Sequence, residues 1–174
     1  MRDDIRIDPF KVEAILALPP PSSIQQLQSL QGKPNFLRRF ICNYAEMAKG
    51  YMRLLKKDTP LFWDDEAQLA FDKLKYDFTH APLLHPLDYT KDYILYLTTS
   101  SATIAMVLVE ETGDNQEHVV YYPSKSLADP EIQYSHVEKM VLAVVIIVQC
   151  FRHYILLCKT TIIASANPMY HILT

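Results

Sequence analysis

The order of the predicted elements in the second half of the sequence constrains the fold most strongly. Segments 93–99, 103–110 and 117–122 are rich in apolar and β-branched residues, which is typical of strands. Segment 111–116 contains Gly, Asp and Asn and favours a hairpin turn between the second and third strands. We therefore expect three antiparallel strands joined by short connections.

A long apolar helix is predicted after these strands. Ser135 and Glu138 form a Ser-x-x-Glu capping box, which predicts a helix that begins there and runs to about Leu156. Apolar residues cover so much of its circumference that we expect it to be buried on more than one side. Residues 160–166 predict a fourth strand, and Pro168 fits the first turn of a terminal helix.

The first half of the sequence predicts short helices. A helix at 11–18 is expected to stop at three consecutive prolines, because proline lacks a backbone N–H and restricts the residue before it. Three further helices are predicted. The first follows an N-cap at Ser22 or Ser23, the second covers residues 44–57, and the third follows an N-cap at Asp64 or Asp65. The last of them has an apolar stripe, against which Trp63 is expected to pack as a staple.

Composition and charge indicate two units in one globular chain. With 49% hydrophobic and 21% charged residues, the chain has an ordinary globular composition. Prolines and a turn at 81–93 indicate a linker, so we expect a helical unit at 1–85 and a sheet-containing unit at 86–174. Residues 1–57 carry ten Lys and Arg against five Asp and Glu, whereas the rest of the chain carries seven against fifteen. The first unit is therefore the basic one.

Basic residues of the first unit form a candidate nucleic-acid-binding surface. Spacings of three and four residues place several of them on one helical face, where they could contact phosphates. A solvated helix face explains the same spacing equally well. The candidate residues are Arg38, Arg39, Lys49, Arg53, Lys56 and Lys57.

The cysteines and the N-terminus indicate an intracellular protein. Three cysteines lie far apart, and none is part of a Cys-x-x-Cys pair that would suggest zinc or redox chemistry. The charged N-terminus has no apolar signal segment, and the longest apolar stretch is too short to span a membrane. We expect a soluble protein of the cytoplasm or the nucleus.

Several ordered motifs resemble one family of proteins. Segments 27–41, 54–63 and 70–75 look like the thumb and connecting region of reverse transcriptases from gypsy-type retrotransposons, especially those of plants. Their ribonuclease H domain is similar to segments 134–139 (Tyr-Ser-His-Val-Glu-Lys), 151–154 (Phe-Arg-His-Tyr) and 167–170 (Asn-Pro-Met-Tyr). The resemblance implies an α+β fold with a helical thumb-like unit first. An incomplete ribonuclease H-like mixed sheet follows, with three antiparallel strands, a long helix and a fourth strand, truncated at its C-terminal end.

The resemblance also implies where a nuclease site would lie. The catalytic Asp of the family falls on Thr98, its helix Glu on Glu138, and its third acid on Asn167, or on Ser165 if the register slips by two. Cleavage of RNA in an RNA–DNA hybrid uses two divalent cations held by clustered carboxylates. Glu138 is the only acid at these positions, and it also has a capping role. His136 beside it is most simply an exposed residue of the first helical turn.

Three functions are compatible with the sequence. We favour a retrotransposon-derived, catalytically inactive ribonuclease H-like module that binds nucleic acid or a protein and needs no cofactor. The first alternative is an active RNA–DNA hybrid endonuclease of a retroelement polyprotein, which would need Mg²⁺ and acids supplied from elsewhere. The second is a protein-interaction scaffold that recruits a partner at an open sheet edge.

Overall fold

Short helices build the first half of the described structure. The computed structural model describes residues 4–56, 59–111 and 116–165. The α-helices of this half are α1 (Pro9–Leu16), α2 (Ile24–Gly32), α3 (Tyr44–Met52) and α4 (Asp65–Thr79). Further 3₁₀ turns lie at Lys33–Phe36, Arg38–Phe40 and Arg53–Leu55.

Side-chain caps begin α2 and α4 at predicted residues. The Ser23 hydroxyl accepts a hydrogen bond from the backbone N–H of Gln26 at 3.2 Å. The Asp64 carboxylate accepts one from the backbone N–H of Ala67 at 3.0 Å. Each cap satisfies a backbone donor that the first helical turn leaves without a partner.

Two predicted helices have different bounds in the structure. One helix was expected at residues 11–18, but α1 begins at Pro9 and ends at Leu16. It begins earlier because Asp8 caps it and proline is favoured in the first turn. The helix predicted over 44–57 is α-helical only to Met52 and then tightens into a 3₁₀ turn.

One hydrophobic core holds the helices together. Trp63 packs edge-on against Phe71 with 5.8 Å between ring centroids, which confirms the predicted staple. Gly50 allows α3 to approach α4 closely, because a Cβ atom there would lie 2.8 Å from the Cβ of Ala70. The apolar stripe of α4 is at most 2% exposed and consists of Ala67, Phe71, Leu74 and Phe78.

A mixed sheet occupies the second half. The strands are β1 (Tyr93–Thr99), β2 (Thr103–Glu111), β3 (Glu117–Tyr121), β4 (Ser124–Ser126) and β5 (Thr160–Ala164). Their order is β3-β2-β1-β5, with β4 also paired to β2. The first three strands are antiparallel neighbours and β5 is parallel to β1. The predicted α+β fold, with helices first and then a mixed sheet, is confirmed, and the short β4 is an addition that the sequence pattern did not predict.

The long helix α6 (His136–Ile155) packs on one face of the sheet. A single helical turn, α5 (Asp129–Ile132), precedes it. The inner face of α6 is fully buried at Met140 and Ile147, whereas Val145 and Val148 are 47% and 49% exposed. The expected burial on more than one side is therefore wrong within the described part, because the sheet covers only one face. No described helix, α6 included, is long and apolar enough to cross a membrane. The terminal helix predicted at Pro168 lies outside the described residues.

The helices and the sheet contact each other through backbone and side-chain hydrogen bonds. The backbone N–H of Ala45 in α3 donates to the Ser124 hydroxyl at 3.0 Å. The backbone N–H of Tyr122 donates to the carbonyl of Arg39 at 3.0 Å. Two hydrophobic clusters nevertheless form, one among the helices and one between the sheet and α6. A division into units near residue 85 stays a prediction.

Candidate functional site

Strands β1 and β5 and the start of α6 meet at one end of the sheet. Leu97 of β1 pairs with Ala164 of β5, so the next residues, Thr98 of β1 and Ser165 directly after β5, lie at the same end of the two strands. Thr99 contacts the first residue of α6, which brings the N-terminus of this helix to the same end. The structure thus brings Thr98 and Ser165, the alternative to Asn167 for the third position, to the end of the sheet where the helix that carries Glu138 begins.

Glu138 is held by the N-terminus of its own helix. The backbone N–H of Ser135 donates to the Glu138 carboxylate at 2.7 Å, and the backbone N–H of Glu138 donates to the Ser135 hydroxyl at 3.3 Å. This capping box confirms the predicted start of α6. The bond from the Ser135 N–H lowers the pKa of Glu138, because it stabilises the ionised form.

An imidazole and two hydroxyls connect the three elements at this end of the sheet. His136 lies with Nδ1 3.1 Å from the Thr99 hydroxyl and with Nε2 3.4 Å from the Ser165 hydroxyl. An imidazole and two hydroxyls, rather than further carboxylates, therefore connect the elements at this place. The sequence did not predict this network, since its members are 37 and 29 residues apart and their proximity depends on strand register.

The donor groups at this place do not fit a two-metal Mg²⁺ site. Thr98 is exposed and offers only a neutral hydroxyl, and Glu138 is already engaged in capping. Across the described ranges, no group of three or more His, Cys, Asp or Glu residues is placed to hold a metal ion. Asn167 lies outside the described residues.

A nearby carboxylate, Glu46 of α3, is also engaged. Its Oε2 accepts hydrogen bonds from the hydroxyls of Thr103 at 2.7 Å and Ser100 at 3.1 Å. The hydrogen bond from Thr103 is the largest cause that lowers the pKa of Glu46. Glu46 therefore fastens α3 to the bend between β1 and β2, a role that the sequence analysis missed.

Arg53, one of the predicted phosphate-binding residues, is held by two acids. Its guanidinium binds the Asp64 carboxylate, and its Nε lies 3.2 Å from the Glu66 carboxylate. Only 33% of the Arg53 side chain is exposed. Residue spacing along one helix does not reveal these partners, because they come from the start of the next helix.

The lysines of the predicted surface are more accessible. The Lys49 Nζ lies 3.6 Å from Oε1 of Glu46, and the Lys56 Nζ lies 3.2 Å from Oδ1 of Asp129. The two lysine side chains are 51% and 66% exposed, so water and salt compete with these ion pairs. Lys57 lies outside the described residues.

The two consecutive arginines differ in accessibility. Arg38 is exposed, whereas Arg39 is half-buried. The Arg39 guanidinium lies 5.2 Å from the ring centre of Phe40 and 6.0 Å from that of Tyr121. Arg38 is thus the better placed of the two for an external anion.

Comparisons with known proteins establish the family. The family profile described as "RNase H-like domain found in reverse transcriptase" matches residues 63–162, which is more than half of the chain. The chain belongs to this family. The matched region runs from the start of α4 through the sheet and α6 to β5.

A curated relative is a retroelement polyprotein. Over 171 residues the chain is 33% identical to the "Retrovirus-related Pol polyprotein from transposon 297" of Drosophila melanogaster. The match covers 96% of this chain but 15% of the polyprotein. The chain thus corresponds to the ribonuclease H-like region of a retroelement reverse transcriptase, and it spans a small part of its relative's length.

Solved structures share the fold. The foamy viral protease-reverse transcriptase dRH in complex with double-stranded DNA superposes with a TM-score of 0.83 at 18% identity, over 97% of this chain and 30% of that chain. The foamy viral protease-reverse transcriptase in complex with an RNA/DNA hybrid gives a TM-score of 0.81 at 18% identity, over 95% of this chain and 22% of that chain. At this identity the likeness establishes the ribonuclease H-like fold alone.

Proposed function

We propose that this chain is a catalytically silent ribonuclease H-like region of a gypsy-type, plant-like retrotransposon reverse transcriptase, and that it acts by binding nucleic acid. One observation carries the proposal. The acid positions implied by the resemblance are Thr98, Glu138 and Asn167, with Ser165 as the alternative to Asn167, and Glu138 is the single acid among them. The Glu138 carboxylate accepts a hydrogen bond at the N-terminus of its own helix.

The chemistry of hydrolysis supports the silent assignment. Two-metal catalysis needs carboxylates that hold both cations near the scissile phosphate. A threonine hydroxyl and a serine hydroxyl are neutral donors that bind hard cations weakly compared with carboxylates. Binding of a nucleic acid by basic side chains needs no metal, so the proposed function requires no cofactor.

Two observations support nucleic acid as the partner. The foamy viral proteins that share this fold were solved in complex with double-stranded DNA and with an RNA/DNA hybrid. The helical part of this chain also presents accessible basic side chains at Arg38, Lys49 and Lys56. Because Asp64 and Glu66 bind the Arg53 guanidinium, we expect Arg53 to contribute less to the affinity for nucleic acid than Lys49.

A salt titration tests the binding function. The affinity for a short RNA–DNA hybrid is measured by fluorescence anisotropy at increasing KCl. We expect the logarithm of the affinity to fall linearly with the logarithm of salt concentration, with a slope that drops by about one when a phosphate contact is removed. Lys49→Ala should lower affinity and slope, and Lys73→Ala, which removes an exposed lysine of α4, serves as the matched control.

Two results would contradict the proposal. The first is a hybrid affinity that does not depend on salt, and the second is an equal loss for Lys49→Ala and Lys73→Ala. Absence of hybrid binding by a folded protein would favour a second candidate, a protein-binding scaffold. One observation favours that candidate: β5 lies at the end of the strand order, and its Ile162 and Ile163 are 38% and 42% exposed.

A further inference from the structure

A cleft of about 460 Å³ lies between the helical part and the sheet. Its walls are α3, the segment from β3 to β4, and the C-terminal half of α6. Thr98, Glu138 and Ser165 do not line it, so it is separate from the place where the nuclease acids were sought. Small-molecule sites often have this size and lie between structural units.

The lining of the cleft carries positive charge and no acidic residue. Arg38 and Lys125 are its charged lining residues, although the whole chain has 20 Asp and Glu against 17 Lys and Arg. Glu131, outside the lining, lies 3.1 Å from the Lys125 ammonium. Within the described ranges, Arg38 is exposed and forms no ion pair. The cleft therefore favours an anionic ligand, with Arg38 as its main contact.

An aromatic wall stands in the same cleft. Phe151, which is 4% exposed, packs edge-on against Tyr121 with 5.5 Å between ring centroids and tilted against Tyr154 with 5.8 Å. Tyr121 and Tyr154 are half-buried and line the cleft, so their rings are the accessible part of the wall and Phe151 supports them. A planar ring can pack against such a wall, as bases do on the aromatic residues of single-strand-binding proteins.

We propose that this cleft binds one nucleotide, with its base against the aromatic wall and its phosphate at Arg38. Gln31, which also lines the cleft, supplies an amide donor and acceptor for a base edge. The nucleotide is either free or the unpaired residue of a strand. In the second case the inference deepens the proposed nucleic-acid binding and rests on it.

A cysteine in the cleft allows a direct test. Cys150 is exposed and lines the cleft, whereas Cys42 is exposed elsewhere and serves as an internal reference. The full chain is alkylated with iodoacetamide at increasing AMP concentration, and each cysteine is quantified by mass spectrometry. We expect AMP to protect Cys150 and to leave Cys42 unchanged. Adenosine alone and inorganic phosphate alone should need at least about tenfold more for equal protection, because each lacks one of the two contacts and a loss of about 1.4 kcal/mol is tenfold in affinity.

Variants separate the nucleotide site from a nonspecific effect. Arg38→Gln should raise the AMP concentration needed for protection by about tenfold, since it removes a charge-assisted hydrogen bond. Lys33→Gln, at an exposed lysine outside this cleft, should not change it. Ile146→Trp should fill the cleft and abolish protection without altering charge. Circular dichroism confirms that each variant is folded.

The outcomes decide between the alternatives. Protection at a lower concentration of a short oligothymidylate than of AMP identifies a strand as the source, and the reverse identifies a free nucleotide. Equal protection of Cys42, absence of Cys150 protection, or protection unaffected by Arg38→Gln and Ile146→Trp would overturn the inference. If the hybrid binds but no nucleotide protects Cys150, the nucleotide site in the cleft is overturned and the proposed function stands. If AMP protects Cys150 but the hybrid does not bind, the proposed function is overturned and the nucleotide site stands.

Discussion

The helical part and the sheet part bury their apolar residues to different extents. In the helical part, the whole stripe of α4 from Ala67 to Phe78 is buried. In the sheet part, α6 buries its inner face but leaves Val145 and Val148 about half exposed, and Ile162 and Ile163 of β5 are also exposed. The apolar content of a helix therefore limits how much of its surface can be buried, whereas the number of elements packed against it decides how much is buried.

The two parts agree in how they use acids at helix starts. Asp64 caps α4 and also binds Arg53, and Glu138 closes the capping box of α6. In both cases the carboxylate stabilises the N-terminus of a helix, where the backbone dipole favours negative charge. An acid at the start of a ribonuclease H-like helix therefore has a structural reason to be present without catalysis.

The largest expected effect distinguishes the two faces of α6. Ile147 is fully buried and the adjacent Val148 is 49% exposed, which makes them a matched pair. Ile147→Ala should lower the free energy of unfolding by about 3 kcal/mol, because it removes buried methyl groups and leaves a cavity. Val148→Ala should cost less than about 1 kcal/mol, as is usual for surface positions. Urea denaturation measures both, and equal losses would show that the outer face is also packed.

A smaller effect is expected at the contact between α3 and α4. A Cβ atom at Gly50 would lie 2.8 Å from the Cβ of Ala70 and 2.9 Å from the carbonyl oxygen of Glu66. Gly50→Ala should therefore destabilise the protein by about 1–2 kcal/mol, because overpacking exceeds the gain in helix propensity. Gly32 has helical angles and nothing within 4 Å of such an atom, so Gly32→Ala should stabilise by about 0.5 kcal/mol. Thermal unfolding of both variants checks the opposite signs, and a stabilising Gly50→Ala would contradict the close packing of the helical part.

The smallest effect concerns the role of Glu138. Because the folded-state pKa of Glu138 is lowered, its ionisation stabilises the fold above the ordinary carboxyl pKa, and this contribution is lost as the pH falls through the lowered value. Glu138→Ala should lower the melting temperature at pH 7 and have less effect in acid. Glu138→Gln should lose less, since an amide oxygen can still accept the Ser135 N–H. Melting curves from pH 7 to pH 3 measure the difference, and identical losses for both variants would argue against capping.

The sequence predicted the local features of both parts well. The caps at Ser23, Asp64 and Ser135 were predictable because each bond joins residues three apart. The strands and the Trp63 staple followed from residue type and spacing. Such features depend on neighbouring residues, which the sequence displays directly.

The candidate site was less predictable because distant residues form it. The resemblance implied Thr98 and Glu138, but the Thr99–His136–Ser165 network requires the register of β1 against β5. Pairing of Arg53 with an acid of the next helix likewise depends on how the helices pack, and spacing along one helix does not reveal it.

An assay for cleavage of an RNA–DNA hybrid is the direct test of whether this chain is catalytically silent. The full chain and a Glu138→Gln variant, purified in parallel, are incubated with a labelled hybrid in Mg²⁺ and in Mn²⁺, and the products are resolved on a gel. We expect no cleavage beyond that of the Glu138→Gln control, because Glu138 is engaged in capping and the Thr98 and Ser165 hydroxyls are neutral. Metal-dependent cleavage by the natural sequence that Glu138→Gln abolishes would contradict it.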